Sequence, residues 1–198
     1  MEQGPPGLGH NGGPTMEPGA RWRRHCWTRA RAELLPRMPL EIVRRRMRRA
    51  RQLGLPFATY NRVRQTTGQD VVALLFSSNA LVAIPPGGVE EARARKLRDL
   101  QRCGRLVAVH PPGTPDAMSR VMAIHEVSVQ AFKAPGLGRS WSETRDVLKG
   151  QLKAAGLPGD QVLIIGETVL EQAWTKAGGF AGFFNGGQYF ADVASAAS

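Results

Sequence analysis

Cysteine is almost missing from this chain: Cys26 and Cys103 are the two present, far apart and outside any CxxC spacing. That excludes a disulfide framework and a zinc cage, and two reduced thiols of the cytosolic kind are expected. No run of about 18 apolar residues occurs, so no membrane span is expected. The start MEQGPPGLGHNGGPTMEPG has neither a basic opening nor an apolar middle; a secretory signal is not expected and a cytoplasmic location is. No internal repeat is visible. His10, His25 and His125 belong to no metal-ligating cluster. Carboxylates are scarce in one region above all. Between Arg21 and Arg64 stand fourteen Arg against two acids, Glu33 and Glu41, and no Lys. Elsewhere thirteen basic and fourteen acidic residues nearly cancel, so the net charge of +11 belongs to that region.

What is present divides the 198 residues into one medium domain with appendages. Residues 1–20 hold six Gly and four Pro, too little apolar surface to offset chain entropy, and read as a flexible tail. Residues 21–68 read as an Arg-rich helical module. In it RWRRHCWTRARAELLP is helical up to Pro36. MPLEIVRRRMRRARQLGLP follows, with Leu40, Val43, Met47 and Ala50 as a packing stripe, Pro39 at the start and Gly54 past the end. FATYNRVRQTTG is a third short helix. Two helices around LGLP invite a helix-turn-helix reading with ATYNRVRQTT in a major groove; a helical cap with a solvated Arg face is the plainer alternative. Arg forks onto phosphate and stacks on bases, whereas solubility alone is served equally by Lys.

From residue 69 to 190 strands and helices alternate, which predicts an α/β fold with a Rossmann-like, doubly wound, mostly parallel sheet. DVVALLFSS is a continuous apolar run of the kind a covered parallel strand shows. GVEEARARKLRDLQRCG is a helix ending at Gly104, then RLVAVH a strand. TPDAMSRVMAIH is a helix opened by Thr114, Pro115 and Asp116. VSVQAF is a short strand, SWSETRDVLKGQLKAAG a helix capped by Ser140 or Ser142, and DQVLIIGE a strong strand. TVLEQAWTKAG and FAGFF give the last helix and strand, and residues 191–198 a flexible end. Trp141 and Trp174, on amphipathic helices, are expected in the core.

Two resemblances attach to these residues. LGHNGGP, Leu8 to Pro14, resembles an N-terminal segment of small uncharacterised alphaproteobacterial proteins and implies no activity. The stretch from Val71 to Phe184 resembles the haloacid dehalogenase-like superfamily: LLFSSNAL stands where that family has DxDGT, LRDLQRCGRLVAVHPP has the shape of its second motif, Lys133 or Arg139 stands for its basic residue, and LKAAGLPGDQVLIIGETVLEQAWTKAG for its last motif. The resemblance implies a nucleophilic Asp and an acid–base Asp; here Ser77 and Asn79 hold those places. Magnesium needs anionic oxygens, and of the implied ligands only Glu167 and Glu171 remain. A cofactor is therefore not expected, magnesium entering only with a residual phosphohydrolase.

The resulting expectation is a non-catalytic nucleic-acid-binding protein. Arg21, Arg23, Arg24, Arg44, Arg45, Arg46, Arg48, Arg49, Arg51, Arg62 and Arg64 would neutralise phosphates and Trp22 and Tyr60 would stack, the α/β domain serving as a rigid body or homo-oligomer surface. Ser77, Ser78, Asn79 and His110 would form a residual phosphate pocket with Lys133, Arg139, Glu167 and Glu171. A nucleophile–base pair of Ser77 and His110 lacks a recognisable orienting group in the sequence. A residual phosphohydrolase or phosphate sensor, and an adaptor docking on an acidic partner, are the alternatives.

Overall fold

A computed structural model describes Trp22, Cys26, residues 38–83 and residues 88–194. The chain divides into two compact units, residues 1–40 and 41–198. In the first, Trp22 and Cys26 are helical and exposed, as expected of the helix placed there. The tail, LGHNGGP, Arg21, Arg23 and Arg24 lie outside the described residues.

The second unit is an α/β domain. Helices α1 (Leu40–Gln52) and α2 (Phe57–Thr67) precede β1 (Ala73–Ser77). There follow α3 (Glu91–Arg98), β2 (Gly104–Val109), α4 (Pro115–Ile124), β3 (Gln130–Lys133), α5 (Trp141–Ala154), β4 (Val162–Gly166), α6 (Val169–Gly178), β5 (Gly182–Asn185) and short α7 (Gly186–Tyr189) and α8 (Ala191–Ala194). The five strands are all parallel in the order β3-β2-β1-β4-β5. ALLFS and VLIIG are buried at every position because they are the inner strands, covered on both faces. The chain steps outward from β1 to β3 and then returns to lay β4 on the other side of β1. This reversal places the sheet's topological switch point at the carboxyl ends of β1 and β4, the position where ligands of such sheets bind.

Side chains alternate across the sheet and so build two cores. On one face Leu74, Phe76, Val107, Leu163 and Ile165 pack with Ala50, Leu53, Tyr60 and Val63 of the α1–α2 region and with Leu97, Met122, Tyr189 and Phe190. On the other, Ala73, Leu75, Leu106, Val162 and Ile164 pack with Leu148 and Leu152 of α5 and Trp174 and Ala177 of α6. The described part of the Arg-rich segment thus shares the sheet's core.

Several sequence expectations change. Gly104 begins β2; the helix before it stops at Arg98. Leu40 and Met47 are 62% and 40% exposed, because α1 reaches the core only through its last turn, at Ala50, and the following Leu53 and Leu55. Trp141 is 58% exposed beneath the Arg145 guanidinium, 5.2 Å from its ring, whereas Trp174 is buried as expected. Ala191–Ala194, expected to be flexible, are helical. The caps are where the sequence puts them: the Thr114 hydroxyl accepts from the Ala117 N–H, and Ser140, not Ser142, forms a capping box with Glu143. Cys103 is buried, and burial pushes its thiol up to about 11. No described helix is long and apolar enough to cross a membrane.

Candidate functional site

Four of the residues expected at the carboxyl edge of the sheet do meet. Ser78 and Asn79 follow β1, His110 follows β2, and Glu171 lies in the first turn of α6, which starts just beyond β4. The His110 backbone N–H donates to Ser78 Oγ at 3.0 Å, and His110 Nδ1 lies 3.2 Å from the same oxygen. His110 Nε2 lies 3.6 Å from Glu171 Oε1, and its ring stacks on Trp174, centroids 5.6 Å apart. Ser78 Oγ has a second lone pair beside its proton, so the direction of its bond to Nδ1 follows the ring's tautomer; the Glu171 carboxylate beside Nε2 favours the tautomer protonated there, in which the Ser78 hydroxyl donates to Nδ1.

Glu171 is fully buried and surrounded by donors. Its Oε2 accepts the N–H groups of Glu167 at 2.6 Å and Thr168 at 2.9 Å, and its Oε1 accepts the Asn79 amide at 2.9 Å. Thr168 returns a bond to the Glu171 N–H, completing a capping box that fixes the carboxylate relative to β4. The orienting group for His110, unrecognised in the sequence, is thus legible as the T-x-x-E of TVLE. Ser77, expected in the residual phosphate pocket at the place of the family's nucleophile, is fully buried, and its Oγ accepts from the Ala80 N–H as a turn cap. Glu167 receives the Asn185 amide at 2.9 Å. Lys133 and Arg139 line a separate hollow of about 440 Å³ with Pro111, Val147 and Gln151, away from Ser78. Among the described residues no group of three or more His, Cys, Asp or Glu is placed to hold a metal ion.

Burial holds the His110 imidazole below its ordinary value of 6.5, with Glu171 pulling the other way. The unfolded chain takes up this proton near 6.5, whereas the folded chain takes it up only at lower pH. Stability is therefore expected to fall as pH drops below about 6.5 and to be insensitive to this group above it. Urea midpoints across that range, steeper for the parent than for His110→Gln, check this. A cavity of about 150 Å³ opens beside Ser78 and His110, walled by Val89, Val109, Met118 and Val121.

The second cluster is cationic. Between α1 and α2 lies a concave surface of about 350 Å³ lined by Arg45, Arg46, Arg48, Arg49 and Arg64. Asp70, the one carboxylate among the described residues that line it, is engaged: Tyr60 donates its hydroxyl to Oδ1 at 2.8 Å, and Arg49 Nε stands 3.3 Å from Oδ2, close enough to pair but without a directed hydrogen bond. Tyr60 is therefore no stacking platform. It is buried, and desolvation with Asp70 pushes its phenol up to about 12. Arg49 is structural as well, donating to the carbonyls of Val71 at 2.8 Å, Gln101 at 3.1 Å and Arg102 at 3.1 Å. Arg44 pairs with Glu41 at 3.1 Å and Arg46 donates to Asn61 at 2.7 Å. Arg45, Arg48, Arg51, Arg62 and Arg64 have no ion-pair partner among the described residues.

Compared with known protein families, with characterised proteins and with solved structures, the chain matches none.

Proposed function

We propose that this chain binds nucleic acid through the arginine-lined surface between α1 and α2, carried on a Rossmann-like domain of haloacid dehalogenase type whose two catalytic Asp positions have become Ser77 and Asn79. One observation carries the reading: Arg45, Arg46, Arg48 and Arg64 line one concavity with Arg49, and the one carboxylate among its described residues, Asp70, is already taken by Arg49 and Tyr60. Over α1 and α2 eight Arg face one acid, Glu41. Like charges so close repel, and an external anion relieves them. Forked guanidiniums suit phosphate oxygens, and a nucleic acid supplies many phosphates at fixed spacing. Exposed Arg62, Gln65 and Thr66 extend the polar face along α2.

The phosphate-pocket alternative has less support, since Ser77 is closed off and Lys133 and Arg139 stand apart from Ser78 and Glu171. The all-parallel sheet, with β1 at the point where the strand order reverses, is compatible with a Rossmann-like fold, the coarser part of this reading.

The test is a titration of labelled duplex and single-stranded oligonucleotides at several salt concentrations. If six or more phosphates are contacted, affinity is expected to fall by about 10³-fold or more between about 50 and 200 mM salt, through counterion release. An affinity that is flat over that range rejects the proposal.

A further inference from the structure

The pairing of Ser78 with His110 beside an apolar cavity has a chemistry that owes nothing to the arginine surface. We propose that Ser78 is an acyl-accepting nucleophile, with His110 as its base and Glu171 orienting His110, and that the chain hydrolyses small neutral esters whose acyl group enters the cavity walled by Val89, Val109, Met118 and Val121.

Four observations carry this. Ser78 Oγ and His110 Nδ1 are 3.2 Å apart, and both residues line the same cavity. His110 stacks on the Trp174 ring, and the Glu171 carboxylate 3.6 Å from Nε2 favours the tautomer in which the nitrogen facing Ser78 is the proton acceptor. Glu171 itself is immobilised by three donors, as an orienting carboxylate must be. Finally, the backbone N–H of Asn79, the residue after the nucleophile, donates to no acceptor among the described residues. In strand–turn–helix hydrolases that N–H is one of the groups that stabilise the oxyanion.

The cavity sets the substrate class. Among the described residues no Asp, Glu, Lys or Arg lines it, and an ion entering an apolar cavity without a partner charge would lose its hydration, so a neutral guest fits. At about 150 Å³ it matches the engineered apolar cavity that holds benzene, so acetyl to butyryl groups fit and long acyl chains do not. Burial keeps His110 unprotonated at neutral pH, which leaves Nδ1 free to take a proton there.

Hydrolysis proceeds in two stages. Ser78 Oγ bonds to the ester carbonyl carbon while its proton passes to His110 Nδ1; the bond to the leaving oxygen breaks, and the alcohol departs with that proton. Water then attacks the acyl-serine, gives a proton to His110, and Ser78 is restored as the carboxylic acid leaves. The sum is ester plus water giving acid plus alcohol.

The experiment uses the full chain and two probes, phenylmethylsulfonyl fluoride, which sulfonylates an activated serine with loss of fluoride, and 4-nitrophenyl butyrate. Peptide mass mapping is expected to place the sulfonyl group on Ser78, with the labelling rate about 10²-fold lower or less in His110→Gln, the usual range for loss of a general base. Release of 4-nitrophenol should vanish in Ser78→Ala and lose activity towards acid with an apparent pKa below 6.5. Val121→Phe, which narrows the cavity from its α4 wall, should spare acetyl-ester turnover relative to butyryl. No sulfonylation of Ser78 in the parent chain, or an equal rate in a folded His110→Gln, overturns the proposal. Equal loss of acetyl and butyryl turnover in Val121→Phe overturns the cavity's part in it. None of these results bears on oligonucleotide binding, so the two proposals stand or fall separately.

Discussion

Replacing Arg45, Arg48 and Arg64 together by Gln is expected to weaken oligonucleotide binding by about 10³-fold at about 50 mM salt, and to flatten the dependence of log affinity on log salt by about 2.7, at about 0.9 for each phosphate that is no longer neutralised. These three line the concavity and have no ion-pair partner among the described residues, so their removal leaves no stranded charge within the fold. Thermal midpoints should therefore stay close to the parent's while binding collapses. Arg49→Gln is the contrasting case. Its guanidinium lies beside Asp70 and holds three carbonyls from the segments flanking β1 and β2, so its replacement should cost about 2 kcal/mol of stability, by the usual worth of charged hydrogen bonds. Fluorescence anisotropy with a labelled oligonucleotide, beside urea unfolding, separates the two effects. If the triple variant binds as tightly as the parent with an unchanged salt slope, the concavity is not the binding surface.

Glu171→Ala is expected to be the most destabilising single change at the carboxyl edge, costing about 3 kcal/mol or more in urea unfolding. The residue is fully buried, and its removal orphans the Glu167 and Thr168 N–H groups and the Asn79 amide. Each of the three donors that loses its acceptor costs about 1 kcal/mol or more; the Thr168 hydroxyl still caps α6, and water entering the vacated space recovers part of the loss. Glu171→Gln keeps one acceptor oxygen and should fall between parent and Ala. A cost below about 1 kcal/mol for Glu171→Ala would show that the carboxylate is not what holds the β1 and β4 ends together.

The alternation of elements was legible from residue 69 onward because each inner strand is a continuous apolar run and each helix carries its own caps. DVVALLFSS contains β1, DQVLIIGE contains β4, and Thr114 and Ser140 mark two helix starts. What was not legible follows from tertiary pairing. Arg49 looks like its neighbours in RRRMRRARQ, and only the approach of Asp70 and the carbonyls after it turns one arginine of the six inward. Tyr60, expected to stack on a base although it shares one side of α2 with Phe57 and Val63, is instead buried with its hydroxyl on Asp70. Between Ser77 and Ser78 the choice depended on where the strand ends by a single residue. Ser77 is the last strand position and points into the fold, whereas Ser78 opens the turn and meets His110. The gathering of Ser78, Asn79, His110 and Glu171 is a product of strand order, since three separate chain segments supply them.

Because Leu53, Tyr60 and Val63 are seated among Leu74, Phe76 and Leu163, the cationic helices are ordered before any partner arrives. Free basic peptides must surrender backbone entropy when they fold onto a polyanion, and that loss subtracts from their affinity. Here the closing of the sheet's own interior already meets that loss for the helix backbones, so a polyanion docking there as proposed would have to order only the exposed arginine side chains.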